Sequence, residues 1–244
     1  MKLFDNFGDA GGGLDFLFRF GHILSGITWI GLLYFFNFVQ VPMYAKLSDG
    51  ARSEALRNVT LRALWWFRYA ALLTFLFGVA MVGLKDQKTY FEGPAGASIL
   101  TGMLFGTTMF LNVWGIIWRN NKRVIASAQA VADGGSADPD VPALAKAAGR
   151  ASRTNTLFSI PMLFFMVFTS HYSYAFPDTG NLAIYWIVVL VIWAFVEANA
   201  LGLLGGFDSP FSKLALDSHK NTIIAGFVAL AVIYLVGWEI LIGG

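Results

Sequence analysis

A chain of 244 residues that is 57% hydrophobic, 16% aromatic and only 13% charged has too few polar groups to coat a water-soluble surface, so lipid is its natural solvent. The absence of cysteine excludes disulfides, thiolate nucleophiles, Cys-ligated zinc or iron–sulfur clusters and covalently attached c-type haem; haem on other ligands, or quinone or flavin bound without a covalent link, stays open. A formal net charge of +2 argues against nucleic acid as a partner, and residues 1–13, acidic and glycine-rich, lack the basic n-region of a cleavable signal peptide.

A helix needs about 20 apolar residues to cross the hydrocarbon core, and the chain supplies six such runs: 14–41, 64–84, 97–118, 156–174, 182–204 and 222–242. The breaks at 85–88, 133–139 and 207–210 are polar and rich in turn formers. The stretch 51–64 differs. Ala55, Leu56, Val59 and Ala63 recur at helical spacing against Arg52, Glu54, Arg57 and Arg62, which predicts an amphipathic helix lying along the membrane surface. No repeat or second domain is evident. The expected fold is all-α, a bundle of six transmembrane helices forming a single membrane domain over residues 1–244.

Cytoplasmic loops are enriched in Lys and Arg, and the basic residues divide unevenly. Lys2, Arg19, Lys85 and Lys88 fall on the side of the termini. The other thirteen of the 17 fall opposite: Lys46, Arg52, Arg57, Arg62, Arg68, Arg119, Lys122, Arg123, Lys146, Arg150, Arg153, Lys213 and Lys220. Both termini are therefore expected in the periplasm, with the 119–153 loop in the cytoplasm of a bacterium whose inner membrane the chain crosses.

Polar residues at membrane depth are costly and usually have a partner or a function. His22 lies early in the first run and His171 near the end of the fourth; those runs are antiparallel, so both imidazoles fall at similar depth in the outer half of the bilayer. That depth suits a bis-histidine b-type haem, with His22 and His171 as metal ligands. Gly21, Ser25 and Gly26 leave space for a flat ligand, Trp29 lies two turns along the same face, and Arg19 is placed to meet a propionate. Phe164, Phe165 and Phe168 supply apolar wall, and Tyr172 and Tyr174 read as interface anchors. The plainer alternative is that each histidine only hydrogen-bonds a neighbouring helix. His219 starts the sixth run, on the wrong side to join them.

A second polar group gathers towards the basic side: Asn37, Gln40, Arg68, Asn112, Glu197, Asn199 and His219. A carboxylate well inside an apolar helix must be neutral or paired, and Arg68 or His219 is the expected partner of Glu197; a proton-carrying role is the alternative. Arg19 and Glu239 are a second candidate pair, and Gly102 with Gly106 forms a small-xxx-small packing motif.

The run from His22 to Phe38 (HILSGITWIGLLYFFNF), Arg119 to Lys122, Ser152-Arg-Thr-Asn-Thr, Ser159-Ile-Pro-Met-Leu and Ser170-His-Tyr together resemble the membrane domain of PuuD-type urate oxidases. The likeness extends over most of the chain. It implies an association with urate hydroxylation and with a cytochrome c domain; since no CxxCH run is present, the acceptor is expected to be a separate cytochrome. His22, Trp29 and Tyr34 are also similar to the first helix of HemJ-type haem proteins, which implies haem b at His22. The expected function is a haem b redox protein passing electrons between a urate-like reductant and an external cytochrome, within a larger redox complex. The alternative is a non-catalytic accessory subunit of a respiratory or photosynthetic assembly. A transporter is less attractive, because no paired broken helices are evident.

Overall fold

The structure, a computed structural model, describes residues 4, 6–172 and 181–240. Lys2 of the charge count, the anchor Tyr174 and the end of the sixth run at Ile242 lie outside the described residues. Among them stand six long helices: α1 (Gly13–Tyr44), α2 (Asp49–Gly83), α3 (Gly93–Ala132), α4 (Val141–His171), α5 (Leu182–Ala200) and α6 (His219–Ile240). All but α4 are long and apolar enough to cross a membrane.

The exception has a physical reason. Helix α4 is 31 residues long and lies among the others rather than at the lipid boundary, so much of what it touches is protein. Asn155, Thr156 and Ser159 are all fully buried along it. Asn155 donates to the Met109 carbonyl at 2.9 Å and accepts from Asn112 at 3.0 Å, tying α4 to α3. Ser159 meets the Tyr34 hydroxyl at 2.8 Å and Ser152 accepts from Asn37 at 2.9 Å, tying α4 to α1. With water excluded, such groups must find partners inside the bundle, and the polar row that lowers the hydropathy of α4 is what fastens its neighbours to it.

The remaining seams are closed by similar means. Helices α1 and α2 share a seam of small residues, where Ser25 and Thr74 are hydrogen-bonded at 3.0 Å and a Cβ on Gly21 would lie 2.7 Å from the Phe77 ring. Helix α5 is held to α3 by Tyr185 with Thr101 (2.7 Å) and by Trp193 donating to Thr108 (2.9 Å). Gly102 lies against Met166 of α4, a close approach of the kind the small-xxx-small spacing predicted.

Two expectations change. The stretch 51–64 is not a separate surface helix: Asp49–Ala55 runs through a wider π-helical turn, Leu56–Thr60, straight into Leu61–Gly83. Similarly α3 has 40 residues, roughly 60 Å at 1.5 Å per residue, twice the hydrocarbon thickness. Its end, Arg119–Ala132, stays packed, with Arg57 of α2 donating to Gln129 at 3.2 Å, and the chain doubles back into α4 through a turn whose Asp138 and Asp140 bind Arg123.

Pro161, inside α4, has no N–H to give the carbonyl of Leu157. Helix α6 passes that point with Gly226, where a Cβ would come 2.9 Å from the Leu157 oxygen and 2.6 Å from Ile160. Gly226→Val should therefore destabilise the bundle by about 1–3 kcal/mol through overpacking. Gly31→Ala, with nothing within 4 Å of the added carbon, should leave the thermal unfolding midpoint in detergent unchanged; equal midpoints for both variants would refute this reading of the α4–α6 seam.

Candidate functional site

His22 is half-buried on the face of α1 that meets α2, and its Nδ1 lies 2.8 Å from the Thr74 carbonyl. A carbonyl oxygen can only accept, so Nδ1 carries the proton and Nε2 keeps its lone pair. The ring rests on Gly78, where a Cβ would sit 3.2 Å from it. Trp29, 3% exposed, shares this face, and its indole N–H is buried without a partner. Arg19 is taken up by Asp15 at 3.5 Å rather than by Glu239, and Asp15 also holds Lys85 at 2.6 Å.

His171 is exposed at the end of α4, with Nδ1 3.2 Å from the Val167 carbonyl one turn back. The same argument makes its Nδ1 the donor. It lines an open cleft of about 480 Å³ with Leu163, Phe164, Val167, Phe168 and Tyr172. On α4, Leu163, Val167 and His171 drift away from the face on which Ser159 and Ser152 bind α1, so that His171 lies about a third of a turn from Ser159. On α1, the residues that continue the stripe of Tyr34 and Asn37, namely Ile27, Ile23 and Phe20, are likewise exposed.

Each histidine lies twelve residues beyond the Tyr34–Ser159 bond, in the same direction because the helices are antiparallel; that is about 18 Å along each axis. The matched depth expected from the sequence fits this register. No hydrogen bond, ion pair or ring contact joins the two among the described residues. His22 lies about a third of a turn around α1 from the open stripe, turned to α2. His219 is at the far end, its ring 6.1 Å from that of Phe38, about 24 Å along α1 from His22.

The polar group near the other end is arranged differently from expectation. Glu197 accepts from the Asn112 amide at 3.2 Å, and neither Arg68 nor His219 pairs with it. The Arg68 guanidinium is instead stacked on Tyr69, Trp114 and Trp118, at 4.5, 5.1 and 3.8 Å from the ring centroids. Three aromatic faces satisfy a cation without an anion, and they leave Glu197 in an amide network.

In the sequence Lys146, Arg150 and Arg153 stand out only as charges. In the structure they line a cavity of about 410 Å³ between α4, the basic end of α1 and the segment before α6. Arg150 gathers that segment around itself, donating to the carbonyls of Phe207 (2.9 Å) and Ser212 (3.3 Å) and binding Asp217 at 2.5 Å. Lys146 binds Asp208. A signal existed in the sequence: α4 carries three cations and no acidic residue, so their counter-charges had to come from elsewhere in the chain.

The Lys146 ammonium holds the exposed Asp208 carboxyl below its ordinary 3.8. A depressed folded-state value means that the pair stabilises above the unfolded carboxylate pKa and that the contribution disappears as pH falls through the folded value. Lys146→Met should therefore lower the unfolding midpoint slightly at pH 7, with the gap from wild type closing below about pH 4 and in high salt. A gap that grows on acidification would contradict the pairing.

The family model described as urate oxidase N-terminal matches residues 68–199. That stretch includes Arg68, Arg150, Arg153, His171 and Glu197, whereas His22, Arg19 and Trp29 precede it. No curated protein and no solved structure matches the chain.

Proposed function

The chain belongs to the urate oxidase N-terminal family, and on that footing we propose that it is a multi-pass membrane redox protein that holds haem b and passes single electrons between a reductant such as urate and an external cytochrome. The observation that carries this reading is the tautomer of the two histidines. In each, Nδ1 is committed to a backbone carbonyl and Nε2 is the nitrogen that remains, the arrangement in which a protein orients an imidazole for a metal. Supporting it are the matched depth of the pair and the apolar cleft beside His171; the space expected beside Gly21 is instead filled by the Phe77 ring, and that beside Gly78 by the His22 ring itself.

The residues present fit the group in their donor chemistry. His22 would hold it from α1, His171 from α4, and Trp29 would offer its unpartnered N–H. Bound haem supplies one-electron transfer without covalent attachment. The chain's own contribution is to fix the imidazole on Thr74, to keep water from the α1–α2 seam, and to set Arg19 and Lys85 near its outer end.

A second reading has its own observation. The His22–Thr74 bond is also what a purely structural interhelical link looks like, and His22 faces α2 rather than the open stripe. Under that reading the chain is an accessory subunit of a larger respiratory or photosynthetic complex. The reduced-minus-oxidised spectrum of the purified protein separates the two. A Soret band that is lost or strongly shifted in His22→Ala and His171→Ala, and retained in His219→Ala, is expected; its absence from wild type would leave the accessory reading.

The topology proposed is six crossings of a bacterial inner membrane with both termini periplasmic, α4 serving as the fourth. Its support is the clustering of cations: Lys85 sits with Asp15 at one end of α1, while Lys146, Arg150 and Arg153 border Val41 at the other. A cysteine at Ser136, between α3 and α4, should be shielded from a membrane-impermeant thiol reagent in intact cells. Rapid labelling there would reverse the orientation.

A further inference from the structure

We infer that Arg153 marks a binding site for a single negative charge carried on an apolar body, reached from the basic end of the bundle and separate from the histidines. The charges around the cavity do not balance. Lys146 is matched by Asp208, and Arg150 by Asp217. Arg153 remains. It is 8% exposed, lines the same cavity, and its Nη1 is buried with no hydrogen-bond partner. Asp217 acts on it only through space, because that carboxylate is bonded to Arg150.

A buried, unpaired guanidinium is among the costliest features a fold can carry. The chain covers the Arg68 guanidinium with three aromatic rings, although its Nε also lacks a hydrogen-bond partner, and it surrounds Arg150 with carbonyls and a carboxylate. Arg153 has neither rings nor a carboxylate bonded to it, and it lines a cavity of about 410 Å³, within the usual range for small-molecule sites. Phe36, Val41 and Leu216 form its apolar wall. One uncompensated positive charge beside such a wall selects a monoanion with a hydrophobic portion, its oxygens on the guanidinium fork. Two sources share that chemistry: an anionic phospholipid from the adjacent leaflet, and a soluble aromatic or aliphatic carboxylate.

The test uses the full-length protein, stripped of lipid in neutral detergent, in calorimetric titrations with dihexanoylphosphatidylglycerol, with benzoate, and with dihexanoylphosphatidylcholine as the zwitterionic control. Wild type should bind one equivalent of at least one of the two anions and should not bind the control. Saturation by the phosphatidylglycerol alone identifies a lipid site, and saturation by benzoate identifies a site for soluble anions. Arg153→Gln should weaken binding by about tenfold or more, the value of a charge-assisted hydrogen bond. Val41→Trp, which narrows the cavity without touching a charge, should do the same and keeps the test open should the first variant fail to fold. Absence of binding by wild type to either anion, or affinity within about twofold of wild type in either folded variant, would overturn the inference.

Discussion

Everything in this molecule turns on the requirement that a polar group without access to water be satisfied by another part of the protein. Helix α4 carries the largest share of that burden. Its Asn155 is buried completely and uses the amide for the Met109 carbonyl and the oxygen for Asn112, while Asn112 also serves Glu197 of α5. One side chain therefore links three helices. Replacing such a residue by an apolar one would strand its partners, each costing about 1–3 kcal/mol, which is why a single row of amides and hydroxyls can hold a bundle whose other contacts are no more favourable than contacts with lipid.

The same rule explains the two arginines that meet no carboxylate. In water an unpaired guanidinium costs nothing; inside the bundle it needs a substitute for hydration. Arg68 finds three aromatic faces, which are weakly hydrated themselves and well suited to a delocalised cation. Arg153 has a cavity. The contrast matters because both lie near the basic end and each keeps one buried nitrogen without a hydrogen-bond partner, yet only Arg68 is covered by rings of the chain itself.

The sequence made the membrane character and the long helices legible, because hydropathy records which residues face lipid. It misjudged α2, whose amphipathic start at Asp49–Ala55 reads as a surface helix until the unbroken π-turn at Leu56–Thr60 is seen. Periodicity cannot distinguish a helix that bends onto the surface from one that simply emerges. His22 and His171 were legible as polar outliers, and their register against Tyr34 and Ser159 agrees with the expected depth. Their orientation was not, since the turn of His22 towards Thr74 depends on how α1 rotates against α2, which the small residues Gly21 and Gly78 decide by contact rather than by pattern. The partner of Glu197 was misread for a related reason: proximity in depth suggested Arg68, but the ring faces of Trp114 and Trp118 were nearer to that cation.

The two candidate sites lie at opposite ends of one seam. Between them, Tyr34 with Ser159 and Asn37 with Ser152 pin α1 to α4. Beyond Tyr34 lies the cleft that His171 lines; beyond Asn37 lies the cavity of Arg153. Arg153 and His171 stand on the same helix, eighteen residues apart by number and so about 27 Å apart along its axis, too far for direct contact. The helix that joins them contains Pro161, where one rung of the backbone ladder is missing. A rigid α4 keeps the two ends independent. Any influence of an anion at one end upon an imidazole at the other must pass through that weakened turn, and Gly226 of α6, lying directly against the Leu157 carbonyl there, limits how far it can bend.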